Sequence, residues 1–326
     1  MKKLAHKIRD FFREMRIMLI DGLLRQGRQR SAPRYIIIEP TNICNLRCTC
    51  CPQGSGEEGR PRGIMKPEIF SKILKNIDLP ISEICLYLHG EPFLNPDLDK
   101  LVEQIGQLKG VSTVIYTNGY GIDHNLLRKI LVHKRIRISF SMDMHDPNGY
   151  EEIRKPAKFA RAEEELAKID SIFAECGRGF ELSLLDNLEC EREQVAMRLF
   201  KRYSRLRWIN FGKQFPWPKF FYTGRLENNI SPRHKICRHI DSRLVVFWNG
   251  DVSLCSCDYY GELTVGSLLD AKLSEIYNSP KARKIRRLHF FKRTDSIPLC
   301  RECLLSRFAN WTYTFKRPKN EKLGRD

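Results

Sequence analysis

Two sets of the chain's twelve cysteines have spacings that suit metal chemistry. The first is compact: Cys44-Asn-Leu-Arg-Cys48-Thr-Cys50-Cys51, which reads CxxxCxxC through Cys44, Cys48 and Cys51. Three thiolates on one short loop can hold three irons of a 4Fe–4S cluster, leaving the fourth iron open to a substrate or cofactor. A zinc knuckle, which would want a fourth Cys or His close by, and a disulfide cluster are the alternatives. Cys50 is a further thiol, but neighbours such as Cys50 and Cys51 rarely ligate one metal together. The second set is dispersed, C-x17-C-x44-CxxC through Cys237, Cys255, Cys300 and Cys303, with Cys257 a rival for Cys255. Four thiolates close a cage that suits zinc or an iron–sulfur cluster equally well. Cys85, Cys176 and Cys190 fit no such spacing and read as buried small apolar residues.

The elements that must position these thiols repeat from Arg34 onward as strand, loop, helix. Apolar strand-like runs fall at 35–39, 84–89, 113–117, 136–142, 180–185 and 208–211, with helical patterns near 67–77, 97–107, 123–132, 157–174 and 191–204. Short apolar strands alternating with helices mean right-handed βαβ units and a parallel sheet. The first cysteine set follows the first strand, and 51–63, rich in Gly, Pro and charge, is the rest of its loop. Gln214 to Pro218 reads as an aromatic, proline-rich turn at a domain boundary. Beyond it, Leu244–Trp248, the turn Asn249-Gly250 and Val252–Leu254 form a hairpin leading into Cys255.

On Cys44, Cys48 and Cys51 after the first strand, followed in order by Gly90-Glu91-Pro92, Thr117-Asn118-Gly119 and Ser141-Met142-Asp143, the chain resembles the radical S-adenosylmethionine (SAM) enzymes. Cys237, Gly250-Asp251-Val252, Cys255, Asp258, Val265-Gly266-Ser267-Leu268 and the Cys300/Cys303 pair resemble the shortened "twitch" form of the SPASM extension. The resemblance spans roughly residues 34–305. It implies an α/β fold: a partial (β/α)6 TIM-like barrel over 34–230 with a small C-terminal twitch/SPASM iron–sulfur domain over 231–310, flanked by an N-terminal helix (1–33) and a basic tail (311–326). It also implies two 4Fe–4S clusters, one SAM-binding on Cys44, Cys48 and Cys51, one auxiliary on Cys237, Cys255, Cys300 and Cys303. For SAM it implies Gly90 and Glu91 at the amino group, Asn118 at the end of strand three, Ser141 and Asp143 toward the ribose, and Arg154 near the carboxylate. Asp186 and Asn187, at the end of strand five, are expected to face substrate or SAM. One departure stands out: before the third cysteine the family places a bulky or aromatic residue near the adenine, and here it is Cys50.

Composition bounds the partners. With 57 Lys and Arg against 39 Asp and Glu, a net charge of +18 favours an anionic partner. Residues 1–30 read as a basic amphipathic helix that either packs on its own domain or lies on an anionic membrane surface. The runs Lys281–Arg287 and Lys316–Lys319 read as solvated faces or as a route for an anionic substrate. A charged N-terminus without an apolar core, and no run long enough to span a bilayer, point to the cytoplasm, with 1–30 the segment that would make any peripheral membrane contact. No aromatic-basic RNA motif is present, so no nucleic-acid partner is expected.

The resemblance therefore implies reductive cleavage of SAM to a 5′-deoxyadenosyl radical, with electrons from a flavodoxin- or ferredoxin-type reductant. A fully ligated auxiliary cluster suits two-electron oxidation of a small, polar, anionic substrate. Twitch-type relatives include dehydrogenases of aminocyclitol hydroxyls; full SPASM relatives include peptide maturases. With 43 residues before Cys44, the chain is expected to lack a separate leader-recognition domain, which sets peptide maturation second. A non-catalytic metal- and RNA-binding protein is the remote third reading.

Overall fold

The computed structural model describes residues 33, 35–54, 56–185, 191–212, 237, 239–301, 303 and 312–318. The helix expected over 1–30 therefore lies outside the described residues, as do the turn at 214–218, Asp186, Asn187 and Cys190.

Six strands form in the expected order: β1 (Tyr35–Ile38), β2 (Glu83–Leu86), β3 (Ser112–Thr117), β4 (Ile136–Ser141), β5 (Phe180–Leu185) and β6 (Leu206–Gly212). Each pairs in parallel with the next. Helices α1 (Pro67–Lys75), α2 (Leu98–Gly106), α3 (His124–Leu131), α5 (Phe159–Glu175) and α6 (Arg192–Arg202) lie between them. A short α4 (Pro147–Ile153) is an addition that apolar periodicity does not show. Its signals are local: Pro147 opens it and Asp146 caps it by accepting from Gly149 N.

The sheet has two unequal faces. Alternate strand residues such as Ile36, Ile38, Ile84, Leu86, Phe140, Leu182 and Ile209 join the helices in the main core. On α2 the contributors Leu98, Leu101, Val102 and Ile105 recur at helical spacing. Burying one such side chain contributes roughly 1.5–3 kcal/mol. The opposite, inner face carries a much smaller apolar cluster of Ile37, Cys85, Val114, Val245 and Phe247. Beyond it, from β4 onward, the inner face carries Ser139, Ser141, Glu181, Ser183 and Asn210, with the Trp208 ring among them. That asymmetry suits a site held inside a sheet whose outside is sealed.

The expected barrel and C-terminal domains share one sheet. After α7 (His239–Ser242), β7 (Arg243–Val246) pairs in parallel with β1, Tyr35 opposite Arg243. β8 (Asp251–Ser253) and β9 (Thr264–Ser267) then extend the same edge antiparallel. Gly250 closes the β7–β8 turn at a φ of 89°, a left-handed conformation that glycine adopts without strain. Three helices follow: α8 (Leu273–Tyr277), α9 (Pro280–Phe290) and α10 (Pro298–Arg301).

Three expectations change here. The tail is not simply basic and solvated: Thr312–Lys316 forms β10, antiparallel to β6 at the far edge. Within the basic run of α9, Arg286 is buried, its Nε donating to Ile240 O at 3.2 Å. Of the unassigned cysteines Cys85 is buried, but Cys176, at the end of α5, is exposed.

Candidate metal and cofactor site

The chain leaves β1 into a long loop closed at its neck. Thr41 bridges Ile64, Thr41 Oγ1 donates to Gly63 O at 2.7 Å and Asn42 Nδ2 to Pro61 O at 2.9 Å. Inside the neck the turn is tight: Cys51 N donates to Cys48 O at 3.0 Å and Gly54 N to Cys51 O at 2.9 Å. A Cβ on Gly54 would lie 2.1 Å from Cys48 O, so only glycine fits. The loop is also tied down from outside. Arg47 N donates to Lys155 O at 2.6 Å and Thr49 N to Ile153 O at 2.8 Å. Cys44, Cys48 and Cys51 are thus gathered on a fixed turn, each half-buried. Burial pushes the Cys44 and Cys48 thiols up to about 11 and Cys51 higher still, and the neighbouring sulfurs add to the shift at each. Three clustered thiols that resist ionisation alone fit a cationic metal group, which takes each as thiolate.

The candidate cofactor residues surround this loop, and several are spent on holding it. Gly90 has a reason in the chain itself besides ligand clearance: a Cβ there would lie 2.3 Å from Thr41 O and 2.7 Å from Ile43 O. The end of β2 can approach the loop only without a side chain, and Glu91 N then donates to Ile43 O at 2.9 Å. Glu91 is buried, its oxygens accepting from Thr117 Oγ1 at 2.7 Å, Phe93 N at 3.0 Å and Asn118 N at 2.7 Å. Its carboxylate locks the β2 and β3 ends together. Asn118 passes the link to the cysteine loop, its Nδ2 donating to Asn45 Oδ1 at 2.8 Å and lying 3.8 Å from Cys44 Sγ.

Asp143 and Arg154, given separate roles by the resemblance, meet. Arg154 Nε donates to Asp143 Oδ2 at 2.7 Å, and Asp143 Oδ1 accepts from Leu185 N at 2.6 Å. Both are buried. Burial works against the guanidinium's charge, and Asp143 with the nearby Cys48 and Cys50 outweighs it. Ser141 stands half-buried at the end of β4, opposite Ser183 of β5.

The second cysteine set also comes together across 66 positions of sequence from Cys237 to Cys303. Burial, then the charges of Cys255 and Cys303, push Cys237 up to about 12. Cys300 is raised by burial and by Cys255, Cys237 and Cys303. Of the two rivals, Cys255 accepts from the Cys257 N–H at 3.4 Å, and hydrogen bonding from Cys257 pulls its thiol below the ordinary value. Cys257 is buried, and its contact with Cys255, together with that burial, pushes its thiol up. Fully buried Asp258 fixes the turn by accepting from Ser253 Oγ at 2.7 Å and from Glu262 N and Leu263 N at 2.8 Å. A residue missed in the sequence, His289, places Nε2 3.3 Å from Cys300 Sγ. Its only signal was its phase on α9, which puts it inward with Arg286. Among the described residues no group of three such ligands closes on a single ion. A cubane spaces its thiolates more widely, each on its own iron.

Comparison with known proteins decides what these sites belong to. Residues 38–173 match the Radical SAM superfamily and 237–304 match the SPASM iron–sulfur cluster-binding domain. The chain carries a radical SAM domain followed by a SPASM domain. Its cofactors are SAM and 4Fe–4S clusters. A curated relative, GTP 3′,8-cyclase of Microcystis aeruginosa, is 31% identical over 123 residues, 36% of this chain and 37% of the cyclase. The match thus spans little more than a third of that relative's length. Among solved structures, BtrN in complex with AdoMet and 2-DOIA aligns over 84% of this chain and 94% of its own, with a TM-score of 0.57 and 18% identity. Streptococcus suis SuiB bound to S-adenosylmethionine aligns over 81% and 70%, with a TM-score of 0.66 and 16% identity. These likenesses show the partial TIM-like barrel fold.

One feature joining the radical SAM loop to the SPASM hairpin was missed in the sequence. Glu39, at the end of β1 and fully buried, is gripped by Arg60 from the loop, with NH1 at 2.9 Å from Oε2 and NH2 at 2.8 Å from Oε1. Trp248 N donates to the same carboxylate at 3.3 Å, and the Arg60 guanidinium lies 3.5 Å over the Phe247 ring. His89, after β2, lies 3.0 Å from Arg60 and packs edge-on against Tyr259. An acid ending a wholly apolar strand was the available hint, since a buried carboxylate demands a partner.

Proposed function

We propose that this radical SAM protein oxidises a small, polar, anionic substrate by two electrons, converting an alcohol carbon to a ketone. When bound, the cofactors supply a 5′-deoxyadenosyl radical that takes the hydrogen and an acceptor for the electron left behind. Cys44, Cys48 and Cys51 hold the SAM-binding cluster. Asp143 and Arg154 set the position of SAM, and Glu91 and Asn118 hold the strand ends against the cluster loop. Cys237, Cys255, Cys300 and Cys303 hold the auxiliary cluster. A flavodoxin- or ferredoxin-type protein is the reductant.

The observation that carries this reading is the second cysteine set. Four mutually close thiols on an edge of the barrel sheet leave no ligand position open, which suits electron transfer better than substrate binding. Charge agrees: the chain carries +18, and the cyclase relative acts by its name on GTP, an anionic nucleotide. No helix among the described residues is long and apolar enough to cross a membrane. Peptide modification is the second reading, favoured by the fold likeness to SuiB bound to precursor peptide SuiA.

Anaerobic turnover with sugars, cyclitols and their phosphates, each deuterated at one carbinol position, tests the reaction. Label should pass into 5′-deoxyadenosine, one SAM should be consumed per product, and the product should be lighter by two hydrogens. Label returning to product with SAM regenerated would mean a redox-neutral reaction instead.

A further inference from the structure

The inner face of the sheet has a wall that neither cluster accounts for. Register places Ser141 of β4 opposite Ser183 of β5, Ser183 opposite Asn210 of β6, and Asn210 opposite Thr314 of β10. These four form one cross-strand row. One step down the strands a second row runs Ser139, Glu181, Trp208, Lys316. Their alternates Phe140, Leu182, Ile209 and Phe315 belong to the helix-side core, so both rows face inward.

The polar groups of these rows are unevenly engaged. Ser139 and Ser183 share a hydrogen bond of 2.9 Å, and Glu181 accepts from Arg137 at 3.3 Å. Thr314 Oγ1 donates to Asn210 Oδ1 at 2.9 Å, which orients the amide and turns Nδ2 away from β10. Among the described residues, Asn210 Nδ2 has no acceptor. Lys316 pairs with no carboxylate among them either. Its Nζ lies 4.8 Å over the Trp208 ring, which fixes the cation without neutralising it. The wall thus starts beside the candidate ribose-facing residue Ser141, runs through hydroxyl and amide groups, and ends on an uncompensated positive charge.

The dimensions suit one class of molecule. Strands lie about 4.8 Å apart, so Ser141 to Thr314 spans about 14 Å, and adjacent rows on one face lie about 7 Å apart. That last distance matches the reach of a sugar monophosphate from its phosphorus to its far hydroxyls.

We propose that this wall is the substrate site and that it takes a phosphorylated sugar or polyol, with the phosphate on Lys316 and the hydroxyls on Asn210, Thr314 and Ser183. The proposal rests on the oxidative reading above and gives that reaction its substrate class. It also assigns β10 a task. A barrel of six strands is open at β6; the returning C-terminal strand covers that edge and contributes two of the binding side chains.

Anaerobic calorimetry on the reconstituted, SAM-loaded full chain tests it, using ribose 5-phosphate and glucose 6-phosphate against ribose, glucose and inorganic phosphate. At least one phosphorylated sugar should bind about tenfold tighter than its parent sugar or phosphate alone. Lys316→Gln, at an exposed position, should bring that preference to within about twofold while leaving SAM affinity unchanged. Thr314→Val should weaken the phosphorylated and parent forms by the same several-fold factor. The proposal is overturned if no phosphorylated probe binds, if wild type does not discriminate, or if discrimination survives Lys316→Gln. Binding without any 5′-deoxyadenosine formation would overturn the oxidative reading and leave the site standing. Oxidation of a neutral substrate, indifferent to Lys316→Gln, would do the reverse.

Discussion

Arg60 holds Glu39 through both terminal guanidinium nitrogens, at 2.8 and 2.9 Å, in a place where the carboxylate has no access to water. The pair joins the loop that carries the first cysteine set to the strand from which the sheet grows toward the second. Because Trp248 N and the Phe247 ring share it, neither side of this joint can shift without exposing a buried charge.

Replacing Arg60 by Met should therefore destabilise the protein by about 3–5 kcal/mol, the usual cost of leaving a buried charge unpaired. The pH dependence has a definite sign. Burial pushes Glu39 upward, but the His89 hydrogen bond and the Arg60 charge outweigh it and bring the carboxyl down from 4.5 to about 2. A carboxylate depressed in the folded state contributes stability that is complete above its unfolded value and lost as pH falls through the folded one. The stability difference between wild type and Glu39→Gln, measured by urea unfolding, should shrink from pH 4.5 toward pH 2. A constant difference across that range would mean that Glu39 does not titrate as a buried partner of Arg60.

The two cysteine sets should be separable by iron content. Anaerobic reconstitution should give about eight irons per chain, four from each cluster. Changing Cys44, Cys48 and Cys51 to Ala should leave about half the iron and abolish SAM cleavage. Changing Cys237, Cys255, Cys300 and Cys303 should remove the other half. Cys257→Ala should keep both clusters, whereas Cys255→Ala should not. Zinc in the second site, or full iron after the quadruple change, would sink the auxiliary-cluster assignment.

Asp143→Asn removes the counter-charge of buried Arg154 and weakens the acceptor of Leu185 N. SAM affinity, followed by equilibrium dialysis of the reconstituted protein, should fall at least tenfold, with a stability loss of about 3–5 kcal/mol. Unchanged SAM affinity in a destabilised variant would make the pair purely structural.

The cysteine spacing, the strand and helix alternation and the Asn249-Gly250 turn were readable from the chain because each is local. CxxxCxxC places three thiols on one loop whatever the rest does, and periodicity reports which face of a helix or strand is buried. The positions of the strand edges were not readable in this way. That β7 joins β1, and that the tail returns to β6 as β10, follows from which unpaired edges come within hydrogen-bonding distance, and composition does not encode that. The polar partnerships were hidden for a related reason. Glu39 and Trp248 are 209 residues apart and Glu91 and Asn118 are 27 apart. A buried carboxylate must be satisfied, but burial itself is a property of the packed molecule. Gly90 shows the difference on a single residue. Its place in Gly-Glu-Pro marked it for the cofactor, while the backbone of Thr41 and Ile43, at 2.3 and 2.7 Å from its missing Cβ, is the physical reason that no larger residue can stand there.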